Sequence, residues 1–122
     1  RLKTSKRPVE TSAMASAARD PDIRIEPAWK VSLVYGMPCA VYHQFPAAYY
    51  LAARFRDDFE SAVLHAVNGG GQNQARAMLA GALAGAQVGL AGIPRRFIDG
   101  LERGEQCLAQ ARRLAVQLAA EH

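Results

Sequence analysis

Four small residues recur at every fourth position inside one apolar run: Ala77, Gly81, Gly85 and Gly89. Positions four apart lie on one face of a helix, so the run from Asn73 to about Leu90 would carry a ridge with almost no side chain along it. Such a ridge lets a second helix backbone approach closely, which commits the chain to helix-on-helix packing. Small-xxx-small ridges also pair helices in membranes. Here the apolar stretch Met78–Ile93 is sixteen residues long and includes Gln87, whereas a span needs about twenty apolar residues. The ridge therefore reads as soluble helix packing, and no membrane partner is expected. Alanine, the best helix former, fills 24 positions, and aromatic residues make up only 7% of the chain. The expected fold is all-α, an orthogonal bundle of thin, closely packed helices.

Several helices can be placed from their patterns. Phe59, Ala62, Val63, Ala66 and Val67 fall at i, i+3, i+4, i+7 and i+8, with Glu60, Ser61 and His65 on the other side. That is an amphipathic helix. Asp57 or Asp58 is placed to cap it. It ends at Asn68, before Gly69-Gly70-Gly71, where left-handed backbone angles come at little cost. Ahead of it, Ala47 to Phe55 is apolar nearly all round, as a buried helix is, and Pro46 suits its first turn. Within Trp29–His43, Pro38 predicts two short helices or a kink, although Val31, Leu33 and Tyr35 also alternate as a strand would. After the glycines, Asn73 is placed to cap the helix that bears the ridge. Pro94 opens a short helix with Phe97, Ile98 and Leu101 inward and Gly104 at its end. A last helix, Glu105–Ala120, sets Leu108, Ala111, Ala115 and Leu118 on one stripe.

Residues 1–22 are polar, small and charged, and read as a flexible lead-in to a helical region over 23–122. The first residue is Arg1 rather than Met, which points to an upstream portion of the same protein. Of the net charge of +4, residues 1–30 account for +3, through seven Lys/Arg against four acids. The excess sits in Arg1, Lys3, Lys6 and Arg7, with no aromatic residue among them to stack a base, so no nucleic-acid partner is expected. Two cysteines are too few for a disulfide scaffold, and Cys39 and Cys107 read as small core residues. No signal-peptide pattern opens the chain, which leaves the cytoplasm as the default compartment.

The stretch Asn68-Gly69-Gly70-Gly71-Gln72-Asn73-Gln74 is the most informative for function. Three successive glycines bring backbone amides close to a ligand, and a following helix terminus favours an anion. A plain helix–loop–helix corner needs one or two glycines. No Gly-Lys-Ser/Thr follows and no strand precedes, so it is no phosphate loop. Spacing alone leaves the ligand cradle and the corner both open. The other candidates are weaker. His65 reads as solvated, and His43 as a partly buried hydrogen-bonding residue. Arg95-Arg96 and Arg112-Arg113 read as outer helix faces, and no Gly-x-Ser-x-Gly elbow is present.

The run Asp58-Phe59-Glu60-Ser61-Ala62-Val63, with Ala66-Val67-Asn68-Gly69-Gly70-Gly71, Ala80-Gly81-Ala82-Leu83-Ala84-Gly85-Ala86 and Gly92-Ile93-Pro94, resembles the C-terminal part of the ADP-ribosylglycohydrolase family. The resemblance covers roughly Ile23 to Leu101 and is most specific over Asp58–Pro94. It implies an all-helical hydrolase with a pair of magnesium ions, acting on the glycosidic bond between ADP-ribose and a protein side chain or related acceptor. ADP-ribose, or an ADP-ribosylated acceptor, is then the implied partner. One departure stands out. Where the family has Asp-Thr-Asp-Thr after two glycines, this chain has Gln72, Asn73, Gln74 and Ala75. Magnesium takes hard, charged oxygens. Two carboxamides bring no charge, and Ala75 brings no ligand. The family's upstream Thr-Asp-Asp motif is also absent from the chain, and Asp57-Asp58 belongs to a different part of the pattern. The resemblance implies weak hydrolysis or none, with no tightly bound magnesium and no catalytic residue assigned. The alternative is a non-catalytic, crystallin-like structural or ADP-ribose-binding protein.

Overall fold

The computed structural model describes residues 13–121, and these form seven α-helices with no strand among them. In chain order they are α1 (Ala13–Arg19), α2 (Val31–Tyr35), α3 (Val41–Arg54), α4 (Phe59–Asn68), α5 (Asn73–Val88), α6 (Arg95–Asp99) and α7 (Gly104–Glu121). Short 3-10 turns occupy Ala28–Lys30 and Leu90–Gly92. The all-α expectation holds. The chain divides into two compact units, Arg1–Gly92 and Ile93–His122.

In the first unit, α3 packs against α1, α2, α4 and α5, and α5 packs most extensively against α4. Among the described residues, eleven of the fourteen buried apolar ones are alanines, and the rest are Val31, Tyr50 and Leu51. With so little side chain between them the helices lie close, and each contact contributes a small area. Polar links add fixed points. The Ile25 amide donates to the Tyr50 hydroxyl at 2.8 Å. Gln87 on α5, with its amide nitrogen toward α3, donates to the carbonyls of Ala52 and Arg56 at 3.1 and 3.2 Å.

Several expectations are corrected. Residues 13–19, read as part of a loose lead-in, form α1, because Ala15 and Ala18 bury completely in the core; residues 1–12 lie outside the described residues. The helix expected from Ala47 begins six residues earlier. Ala40 is extended, and its carbonyl accepts from the amides of His43 and Gln44, so a first turn forms ahead of Pro46 and the proline falls inside α3. The N-cap of α5 is Gln72. Asn73 is its first helical residue, with a side chain that turns back to donate to the Val67 carbonyl at 3.3 Å. The glycine ridge is displaced by one position from the buried stripe. Arg76, Ala80 and Ala84 are buried, while Gly81 and Gly85 flank them half-buried and Gly89 is exposed. Cys39 and Cys107 are exposed.

The second unit holds α6 and α7. Arg95 donates to Asp99 at 2.8 Å and to Glu105 at 3.1 Å. Gly104 starts α7 instead of ending the preceding helix, which closes at Asp99 with Gly100 as its C-cap; a side chain at Gly104 would run into the Ile98 carbonyl. Leu101, expected inward, is exposed, as are Leu114, Val116 and Leu118. No helix among the described residues is long and apolar enough to cross a membrane.

Two expected outcomes follow from these local arrangements. A methyl group at Gly81 would meet Val63 at 3.6 Å, an ordinary van der Waals distance. Gly81→Ala should therefore stabilise the protein by about 0.5–1 kcal/mol in denaturant unfolding, through lower unfolded-chain entropy. Asp58 caps α4 by accepting from the Ser61 hydroxyl at 2.5 Å and amide at 3.0 Å. These bonds hold its carboxyl below the usual value. A depressed folded pKa gives stability that is complete above the unfolded value of about 3.9 and is lost as pH falls through the folded one. Asp58→Ala should cost about 1 kcal/mol at neutral pH, with the difference from the natural chain fading in acid.

Candidate functional site

The loop between α4 and α5 is fixed from below by a residue that the sequence reading passed over. Arg76, in the first turn of α5, is fully buried. Its Nε donates to the Ala66 carbonyl at 2.9 Å, its Nη1 to Gln44 Oε1 at 3.2 Å and its Nη2 to the Gly70 carbonyl at 2.5 Å. All three acceptors are neutral oxygens, from α4, α3 and the loop itself. Hydrogen bonds of a charged group are worth about 1.5–3 kcal/mol each, and leaving one unmade in the interior costs comparably. Burial pushes the guanidinium pKa down, yet its high starting value keeps the group charged at neutral pH.

Gln44 carries the network outward. Its Nε2 donates to the carbonyls of Met37 and Pro38 at 3.1 and 2.6 Å, while its Oε1 faces Arg76. The same Met37 carbonyl accepts from the Gln72 amide at 3.0 Å. Ser32 is also fully buried, and its hydroxyl donates to the Gly69 carbonyl at 2.7 Å. Helix α2, the α2–α3 connection, the start of α3 and the end of α4 thus grip the loop through Arg76, Gln44 and Ser32.

This grip accounts for three glycines where a corner needs one or two. A Cβ on Gly69 would come within 2.8 Å of both Arg76 Nη2 and Ser32 Oγ. Gly70 and Gly71 have φ of +72° and +60°, the left-handed region. A Cβ on Gly71 would also lie 2.8 Å from the Met37 carbonyl oxygen. Four of the loop's amides, those of Gly69, Gly70, Gln72 and Asn73, already donate to carbonyls of the chain. What the loop offers outward is Asn68, Gly71, Gln72 and Gln74, all exposed, with Asn73 half-buried. Ala75 is exposed beside them.

The remaining sequence candidates lie elsewhere. His43 sits with Nδ1 2.5 Å from the Tyr35 carbonyl oxygen, so that nitrogen carries the proton, as expected of a hydrogen-bonding histidine. His65 is not freely solvated: it is half-buried, with its ring 4.6 Å from that of Phe55 and its Nδ1 2.8 Å from the Ser61 carbonyl oxygen. Among the described residues no group of three or more His, Cys, Asp or Glu is placed to hold a metal ion. Arg76 had one visible signal, a charged residue one position before the small-residue ridge. Its three neutral acceptors come from the preceding helix, the loop and α3, 10, 6 and 32 residues away, a convergence that no helical period displays.

Comparison with known proteins places the chain. The family model described as ADP-ribosylglycohydrolase matches residues 3–122. The chain belongs to that family. No curated protein and no solved structure matches it.

The loop geometry orders the glycines by cost. At Gly70 a side chain meets only Met37 Cε at 3.9 Å, so Gly70→Ala should cost about 1–2 kcal/mol for the left-handed conformation alone. Gly71→Ala adds the collision with Met37 to the same strain and should cost distinctly more. Urea unfolding of the two variants checks the order, and equal costs would show that Met37 yields freely.

Proposed function

We propose that, within this family, the chain supplies the C-terminal, loop-bearing helical region of an ADP-ribosylglycohydrolase-like protein that has lost the usual metal chemistry and hydrolyses weakly or not at all. The loop Asn68–Gln74 borders the pocket for ADP-ribose or an ADP-ribosylated acceptor. An upstream portion of the same protein supplies the pocket's other wall. The observation that carries this reading is the donor set at the loop surface. Gln72 and Gln74 are exposed carboxamides and Ala75 a methyl group, at the positions where the resemblance places metal ligands. These groups do not fit a divalent cation that needs carboxylate charge. Breaking a glycosidic bond with water requires a group that takes a proton from the water as it attacks the ribose anomeric carbon. A carboxamide neither accepts nor releases a proton near neutral pH.

The same observation favours a second reading, non-catalytic binding. Carboxamides present both donors and acceptors, and so match sugar hydroxyls and phosphate oxygens without an ion. Calorimetry on the full chain separates these readings. The natural chain should show no micromolar magnesium binding, while Gln72→Asp/Gln74→Asp should gain measurable affinity. Micromolar magnesium binding by the natural chain would overturn the loss of the metal site. ADP-ribose binding that EDTA leaves unchanged supports the ligand-binding reading, whereas binding that requires magnesium supports a hydrolase that keeps its ion.

A further inference from the structure

We infer that Arg76 is a positioning residue that takes over the cation's place in ordering this loop: its guanidinium holds Asn68–Gln74 in shape without a metal, and its charge opposes a divalent cation there. The inference deepens the proposed function and rests on it for the placing of residues 72, 74 and 75.

Three observations carry it. First, the guanidinium is fully buried, and all three of its nitrogens donate to neutral oxygens. A buried positive charge normally has an anion beside it. The ion pairs on Glu26 and Arg95 do not involve Arg76, and among the described residues no carboxylate is paired with it. Second, the charge lies directly under the loop. Nη2 bonds the Gly70 carbonyl and would touch a side chain on Gly69, and the Arg76 amide donates to the Gln72 carbonyl at 3.4 Å. Residues 72, 74 and 75 precede Arg76 by four, two and one positions. Third, the Ala66 and Gly70 carbonyl oxygens, which flank the glycine turn, are already engaged by the guanidinium.

A metal-organised loop draws its shape from carboxylates that would repel one another until a cation joins them. In this loop the positive charge is covalently attached and already bonded, and the groups at positions 72, 74 and 75 are neutral. The loop has no excess negative charge that calls for an ion. A cation arriving at those exposed positions would meet a like charge held just beneath the loop, which weakens its binding. Shape and charge therefore have one source. Arg76→Lys separates the two, because an ammonium keeps the charge but lacks the planar fork that reaches three acceptors at once.

Hydrogen exchange and magnesium titration on the full chain test both halves, and neither uses ADP-ribose, so their failure is distinct from failure of the ligand assignment. In the natural chain the amides of Gly69 to Asn73 should exchange at rates that agree within about twofold in magnesium and in EDTA. Protection that rises about tenfold or more with magnesium would overturn the inference. Arg76→Lys should speed exchange of the Gln72 amide by about tenfold or more while α3 amides remain protected. Uniform loss of protection would reduce Arg76 to a general core residue and overturn its positioning role. In the Gln72→Asp/Gln74→Asp background, adding Arg76→Met or Arg76→Gln removes the charge and should tighten magnesium binding at least about tenfold. Adding Arg76→Lys should not. Equal affinities in the Lys and neutral variants would overturn the electrostatic half. If both neutral variants unfold, exchange in the natural chain and in Arg76→Lys decides the positioning half, and magnesium affinity of Gln72→Asp/Gln74→Asp decides the electrostatic half, micromolar or tighter binding beside the intact Arg76 overturning it.

Discussion

A single buried guanidinium ties together the parts of this fold that helix packing alone would leave loose. Arg76 bonds α4 at Ala66, the loop at Gly70 and α3 at Gln44, and Gln44 passes the connection to Met37 and Pro38. A charge in the interior is tolerated only when its donors are answered. Here the answering oxygens come from three separate stretches of chain, so satisfying the charge is the same event as assembling the corner. Ser32, bonded to the Gly69 carbonyl, completes it from α2.

The need for such a device follows from the core. Alanine helices approach closely but bury little area apiece, and among the described residues only Val31, Tyr50 and Leu51 add large apolar side chains to the fully buried set. Apolar burial is also indifferent to direction, so a smooth alanine face resists sliding poorly. Directional bonds supply what the alanines lack. The Tyr50 hydroxyl, the Gln87 amide and the Arg76 fork each set a register between neighbouring segments.

What was legible in the sequence is what repeats locally. The Asp58 cap and the end of α4 at Asn68 follow from spacings within one helix; of the stripe Phe59, Ala62, Val63, Ala66 and Val67, the structure buries Ala62 and Ala66, half-buries Phe59 and Val63, and leaves Val67 exposed. The glycine corner was visible too, but its cause was not. Gly69 and Gly71 are crowded by Ser32, Met37 and Arg76, residues far away in sequence or on another helix. Short elements failed for a related reason. α1 has seven residues and is held by burial of Ala15 and Ala18 against the core, not by any local pattern. Pro46 misled because a proline favours a helix start locally, whereas the Ala40 carbonyl and the Gln44 side chain start α3 earlier. The ridge was read one residue out of phase, since a period of four does not say which adjacent row faces inward. The family resemblance rests on contiguous motifs and does not depend on where each helix begins.

The crowding at Gly69 also bears on how such a loop can change over generations. Gly69, Ser32, Gln44 and Arg76 interlock, and replacing any one of them alone leaves a collision or an unanswered buried group. Gln72, Gln74 and Ala75 face outward and carry no such constraint. Single substitutions can therefore rewrite the chemistry displayed on the loop while its backbone stays put, whereas the support beneath can move only by several coordinated steps. The corner behaves as an inherited mould, with a surface free to drift and a foundation closed to gradual revision.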